Sequence, residues 1–457
     1  MPIPVEWIAM SRMAFGPRAG DVERVRAMGL AAYIDEQIRS DAADPQCEAA
    51  LKSATLHIEY EAGKDDKGNQ LWKSCKEDRP LRLLSASSAD LWKLTDGSAQ
   101  LPGEERQRAL QEVKTATWLR AVHSRWQLRE VLVDFWHNHF NVNSGIDDER
   151  VALMWPVYDR DVIRKHCLGN FRQFLEAVAT SVPMLLYLNN ASSKASPANE
   201  NFGRELFELH TLGAPAYFNH LYNRWREVPG ATEGKPIGYI DQDVYESARS
   251  FTGWTIADGS DTGRGDKFPN TGAFHYYDGW HDPYQKRVLG VEFEPNQPPM
   301  SDGRKVLDLL ATHPATAQYV CTKLCRRLVS DNPPAGLVDR AAAVFTANRD
   351  APDQIAQTVK MILLSDEFAS TWGEKVKRPF ELIVSFLRIT GATARPDNNL
   401  FYLAEQMGQR MFAWPSPTGH PDRAGYWTGT NAMLGRWNAP VSMFADDFSG
   451  ASFRLWL

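Results

Sequence analysis

The sequence predicts a mainly α fold: one large helical domain with long irregular loops and a small β excursion near the N-terminus. Three observations carry this. Apolar residues recur at helical spacing along most of the chain, in runs bounded by Pro, Gly, Asp or Asn. Alternation of the kind strands show is confined to residues 45–80. Residues 213–300 are aromatic and rich in Gly, Pro and Asp, with one short helix expected around 242–252, and a loop region of that length is usually functional.

Asp21 is placed to cap a helix over 21–39 that carries Val22, Val25, Met28, Leu30 and Ile34. Residues 45–80 read as a polar insertion. Leu56-His57-Ile58-Glu59-Tyr60 alternates, a charged Gly-containing turn follows, and Gln70-Leu71-Trp72 returns as a hairpin would. Cys47 and Cys75 bracket it and would close it as a disulfide in an exported protein. Residues 105–140 form one or two helices, followed by 157–166 and 170–181. The last of these spaces Phe171, Phe174, Leu175 and Val178 for one face. The second half predicts helices over 303–311, 314–329, 336–348, 353–364, 378–391 and 398–412. There is no internal repeat, and residues 1–457 are read as one domain, with 213–300 laid over a cleft.

Composition narrows the function. With 43% hydrophobic and 24% charged residues, the chain is ordinary for a globular protein. A net charge of -6 leaves no basic surplus for neutralising phosphates, which argues against a nucleic-acid partner. No apolar run is long enough to span a bilayer, and Met1 to Arg12 hold no export signal. The 15 Trp suit either sugar-stacking clefts or a large helical core. Cys321 and Cys325 fall on the apolar side of their helix and read as core.

Residues 199–213 are the densest polar pattern. On a wheel of about 100° per residue, Glu200, Arg204 and Glu208 form one stripe and Asn201, Glu205 and Glu208 another. Phe202, Leu206 and Leu209 lie opposite. The arc is either a solvated face held by ion pairs or a polar catalytic wall. Two features favour the wall. The preceding loop delivers Glu200 and Asn201 at the positive end of the helix. Glu205 borders the apolar face, where partial burial raises a carboxyl pKa. The same wheel groups His139 with Leu128, Val131, Leu132 and Phe135, and points His137 the opposite way, toward solvent. His281, Asp282 and Lys286, beside Trp280, read either as a structural turn or as a ligand-contacting rim, with Trp254 in the same aromatic region.

These residues resemble a bacterial family known as domain of unknown function 1800. The resemblance rests on Arg12 to Gly16, Phe135-Trp136-His137-Asn138-His139-Phe140, Leu186-Tyr187-Leu188, and Asn199 to Gly213. It continues through Asp243-Val244, Ala248-Arg249, Phe251-Thr252-Gly253-Trp254, His281-Asp282, Lys286 and Leu289-Gly290. His313-Pro314-Ala315, Lys377, Pro379, Glu381 and Met407-Gly408-Gln409 complete it. The family name confers no activity. The resemblance implies that the second His of the His-Asn-His motif is the more constant one. It also implies a periplasmic or secreted location and a partner resembling a secreted phosphatase or sulfatase. The chain departs from the family at Thr418-Gly419-His420-Pro421, where Gly-Trp-Pro is usual.

The leading expectation is a hydrolase, or a lyase, using carboxylate acid–base chemistry on a carbohydrate. Glu205, Glu208, His139 and Asp134 are the catalytic candidates. Arg204, Asn201, Glu200, Trp254, Trp280, His281, Asp282 and Lys286 are the substrate-binding ones. Glycosidic cleavage needs carboxyl groups on both sides of the bond, so Asp134 or Asp282 is expected to supply the second. Two alternatives stand beside it: a metal-dependent enzyme with His139, Glu205 and Glu208 as ligands, and a non-catalytic carbohydrate-binding or partner protein. Nucleophile-elbow, phosphate-loop and His-Glu-x-x-His motifs are absent, and no cofactor is expected.

Overall fold

The computed structural model describes residues 3–40, 42–95, 101–445 and 451–452. Among these, 22 α-helices alternate with five two-stranded antiparallel pairs. One continuous hydrophobic core runs from Ile8 to Met443, so the N-terminal and C-terminal helices share an interior. No helix among the described residues is long and apolar enough to cross a membrane.

The longest helix, Gly103–His123, is buried along most of its length from Ala109 to Val122. Beside it lies Gln127–His139, and the C-terminal helices Pro314–Leu328 and Pro379–Thr390 close over both. The second-half helices fall close to their expected bounds. Ser301–Thr312, Ala335–Ala347 and Gln354–Leu363 differ by one or two residues, and Asn398–Gln406 stops short of the expected 412.

Two expectations are corrected here. The 45–80 insertion begins as a helix, Pro45–Ser53, before the expected hairpin pairs Thr55–Tyr60 with Cys75–Pro80. Cys47 is buried on that helix while Cys75 sits on the returning strand, and both are free thiols rather than a disulfide. The Cys75 Sγ instead accepts a hydrogen bond from Arg79 at 3.0 Å. Residues 213–300 are less irregular than the sequence indicates. Besides the helix Asp241–Ser250, they hold the hairpins Trp254–Asp258/Asn270–Tyr276 and Lys286–Val288/Val291–Phe293. Asp243 fixes this region. Its carboxylate accepts from the Ile240 N–H at 2.9 Å and the Leu289 N–H at 2.7 Å, tying the second hairpin's turn to the helix start. Burial pushes the Asp243 carboxyl up to about 6.

Candidate functional site

Gln127–His139 is buried on both faces. Leu128, Val131, Leu132 and Phe135 pack into the core as the wheel predicts. Glu130, Asp134 and His137, at i, i+4 and i+7, form a second face that meets buried arginines rather than water. His137 is therefore 8% exposed, which overturns its expected solvent position. Its Nε2 bonds Asp159 at 2.9 Å, and Asp159 also accepts from Arg164 at 2.8 Å. Arg164 in turn makes a forked pair with Glu130 at 2.9 and 3.0 Å. One turn along, Asp134 is paired with Arg378 and lies 3.8 Å from Arg327. Glu381 accepts from Arg327 at 2.5 Å and Arg378 at 3.3 Å. Burial opposes ionisation of Asp159 and Glu381, but these cations overcome it and hold both carboxyls well below the usual range.

The cavity against this face has a volume of about 40 Å³ and is lined by Asp134, His137, Asn138, Arg378 and His420, among others. That is far below the roughly 300–1,000 Å³ of small-molecule pockets. Asp134 is thus committed to a structural ion-pair network.

His139 faces the interior, as expected, and is 1% exposed. Its Nε2 donates to the His210 carbonyl at 3.1 Å. Burial, then the charges of Lys323 and His210, hold it well below its ordinary pKa, so it is neutral and anchors structure. His210 closes a π-helical segment, Leu206–His210, that continues the α-helix Glu200–Glu205. Asp159 and Arg164 lie in a second π segment, Tyr158–Arg164. The two histidines of the His-Asn-His motif each grip one π segment, and such segments are frequent at functional sites.

Glu205 and Glu208 stand on the outer side of Leu206–His210, both half-buried and neither with a hydrogen bond or ion pair to any described residue. Burial, then the Glu208 charge, pushes the Glu205 carboxyl up to about 7 against the pull of Arg204. Three tyrosines share this face. Tyr187, whose hydroxyl donates to Pro415 O at 3.0 Å, is pushed up to about 12 by burial and by Glu205. Tyr239 keeps its enclosed hydroxyl without a partner and feels Glu208. Burial, Asp422 and Glu208 push Tyr319 up to about 12. Gly213, at φ 86°, makes this approach possible, because a Cβ there would come within 2.4 Å of the Tyr319 ring.

The other sequence candidates divide. Arg204 sits 3.5 Å from Glu200 and 3.4 Å from Asp241, an ion-paired edge of the same face. Asn201 lies at the helix start, its N–H capped by Asn199 at 3.0 Å. Trp254 is fully buried against Phe251 and Phe274 and takes no part in a ligand surface. Asp282 forms a two-pronged pair with Arg249 at 2.7 and 3.0 Å and caps Tyr284. Lys286 Nζ donates to the Asp282 and Tyr284 carbonyls and to Asp302 at 2.6, 2.9 and 2.7 Å. His281 bonds Thr252 O and Asp302. These three residues knot the loop together rather than form a rim. Trp280 lines a separate cavity with Asp148, Arg150, Leu186, Asn189 and Asp258, under Lys194, whose Nζ is 4.1 Å from the ring centroid. The His139, Glu205 and Glu208 ligand set is not assembled either. No three His, Cys, Asp or Glu side chains gather as a metal would require among the described residues.

Residues 8–454 match the model of the family described as protein of unknown function (DUF1800). The chain belongs to this family. No curated protein and no solved structure matches it. Read on the structure, most of the motifs that signalled DUF1800 are scaffold. Lys377 Nζ donates to Phe15 O at 2.9 Å and Arg12 to Thr371 O at 2.8 Å. Gln409 accepts from Phe380 N at 2.8 Å, and His313 caps the following helix through Ala315 N at 3.0 Å. Asn138 clasps the atypical Gly419-His420 turn, accepting from His420 N at 2.6 Å and donating to His420 O at 3.0 Å.

The sequence reading missed Tyr319, Lys323, Arg326 and Asp422. The first three fall at i, i+4 and i+7 on Pro314–Leu328, a polar stripe beside the apolar Val320, Cys321 and Leu324. That spacing was a usable signal. Asp422 lies in a loop with no local pattern.

Proposed function

We propose that this protein is a carbohydrate-active hydrolase or lyase whose acid–base group is Glu205. The observation that supports this best is the pairing of Glu205 and Glu208 as half-buried, partnerless carboxyls on a rigid π segment, ringed by three tyrosines. With a pKa of about 7, Glu205 carries a proton part of the time near neutrality and returns it readily, the property of a general acid–base group. Burial, and then the neighbouring Glu208, favour its protonated form. Tyr187 and Tyr319, both half-buried, offer aromatic surface to a polyhydroxylated ligand, while buried Tyr239 backs the segment from within.

Asp134 and Asp282 are bound into ion pairs, so neither serves as the second carboxyl that glycosidic cleavage needs. Asp422 is better placed. It is half-buried, 3.5 Å from Asn138 Nδ2, and acts on Tyr319 from the same neighbourhood as Glu208. Glu205 protonates the departing oxygen in this reading, and Asp422 acts on the other side of the bond, activating the attacking water in a hydrolase. A periplasmic or secreted location is part of the same proposal.

The test is a screen of the purified chain on polysaccharides, alone and with a secreted phosphatase-like partner. Turnover should be lost in Glu205→Gln, with the folded state intact, and the alkaline limb of the pH profile near 7 should belong to this residue. Glycan binding without turnover in any combination would favour a non-catalytic binding protein. A Glu205→Gln variant with full turnover would remove Glu205 from the chemistry.

A further inference from the structure

Two lysines are buried among the described residues, Lys286 and Lys323. Lys286 has three oxygen acceptors within 2.9 Å, one of them the Asp302 carboxylate. Lys323, 7% exposed, has no hydrogen bond and no ion pair. Its Nζ is 5.8 Å from the Tyr319 ring centroid, a second-best contact for a cation. The residue is enclosed but its ammonium is not sealed off, so the nitrogen is left to water or to an oxyanion that reaches it.

Lys323 does not stand alone. Arg326, one turn along the same stripe, uses only Nε, donating to Asp331 O at 3.2 Å. Its two terminal nitrogens have no partner, and it too is half-buried. Tyr319, Lys323 and Arg326 thus present one phenol and two cations without an ion-pair partner among the described residues along a single helix face. The titratable groups that face Lys323 are His139, His210, Arg326 and Asp422. The histidines are neutral, so Asp422 is the negative charge facing Lys323, while Asp331 lies beside Arg326. No ion pair joins Asp422 to either cation. The Glu205 end of the face carries two carboxylates and the Lys323 end two cations, with Tyr319 between them.

We propose that Lys323 and Arg326 receive a fixed negative charge on the substrate, the carboxylate of a uronic acid or a sulfate ester, so that the substrate class is an acidic carbohydrate. This rests on the carbohydrate reading above and deepens it. Both oxyanions offer the acceptors that an ammonium and a guanidinium fork satisfy. Bound there, the anion sits on the Lys323 side of Tyr319, whose other neighbour is Glu208, and fixes the register of the sugar chain. Neutral glycans leave both cations unpaired and are selected against.

The test measures binding of size-matched neutral, uronate and sulfated oligosaccharides to the full chain, with inorganic sulfate as a separate thermal-shift probe. The wild type should bind one of the two acidic series about tenfold or more tighter than the neutral one, and which series does so identifies the oxyanion. Lys323→Met and Arg326→Glu should each abolish that preference, while Lys323→Arg keeps part of it. Should Lys323→Met fail to fold, the half-buried Arg326→Glu carries the test. Equal binding of neutral and acidic sugars, or an unchanged preference in both variants, would overturn the acidic-substrate proposal and leave the carbohydrate reading standing. Sulfate stabilisation that depends on Lys323, with no oligosaccharide bound at all, would instead bring down the carbohydrate reading and this proposal with it.

Discussion

Around Asp134 and His137 the charged groups are paired with one another; on the neighbouring face Glu205, Glu208 and Lys323 have no hydrogen bond or ion pair among the described residues. Both regions are built on the same elements. The inner network joins Gln127–His139 to the π segment Tyr158–Arg164 and to Arg327 and Arg378. The outer face joins the π segment Leu206–His210 to the same Pro314–Leu328 helix that carries Arg327. Paired buried charges fix geometry at little net gain in stability, whereas unpaired ones cost stability and are available to a ligand. The His-Asn-His motif, on this contrast, belongs to a frame, and the proposed acid–base pair lies on the neighbouring Asn199 to Gly213 motif.

The contrast breaks most readily at Glu381. Glu381→Ala leaves Arg327 and Arg378 buried without their shared carboxylate, and should cost roughly 3–5 kcal/mol in urea unfolding. A loss under about 1 kcal/mol would mean that the inner network is solvated and the distinction false. His137→Ala should follow, at about 1–3 kcal/mol, because it strips a hydrogen bond from buried Asp159. The same variant should leave ligand affinity of the folded fraction unchanged.

Glu205→Gln sharpens the comparison from the other side, through pH. The folded carboxyl titrates near 7 against an ordinary 4.5, so the folded chain holds a proton that the unfolded chain releases in that interval. Stability from this group is complete below about 4.5 and lost as pH rises through 7. After discounting for its half exposure, roughly 1 kcal/mol is at stake. Glu205→Gln should therefore melt with the wild type at pH 4.5 and about 1–2 °C above it at pH 8, read by calorimetry. An identical difference at both pH values would show that Glu205 titrates normally. Glu200→Ala, at the exposed end of the helix, should change stability by no more than about 0.5 kcal/mol.

The helices were legible because their apolar faces meet one core, as in Phe171, Phe174, Leu175 and Val178, all buried. The hairpins within 213–300 were not, because strands of three residues such as Lys286–Val288 and Val291–Phe293 are too short to show alternation. Glu205 was legible through its place at the edge of an apolar face. His137 was misread because a polar helix face was equated with solvent, and here its partners Asp159 and Arg164 come from a segment whose own pattern gave no sign of them. Lys286 and Asp282 read as a possible rim because composition reports which groups are present and not whether they satisfy one another.

The π segment Leu206–His210 has a genetic consequence. Its hydrogen bonds span five residues where an α-helix spans four, so the turn amounts to an ordinary helix carrying one additional amino acid. Removing a single codon there would restore an uninterrupted α-helix and swing everything C-terminal to the cut by about 100°. Glu208 would lose its place beside Glu205 if the cut fell before it, and the His210 carbonyl would leave His139 in either case. His137, Asp159 and Arg164, all N-terminal to the cut, would keep every bond they make to one another. A one-residue deletion thus separates the His137–Asp159–Arg164 pairing from the Glu205–Glu208 face more cleanly than any substitution.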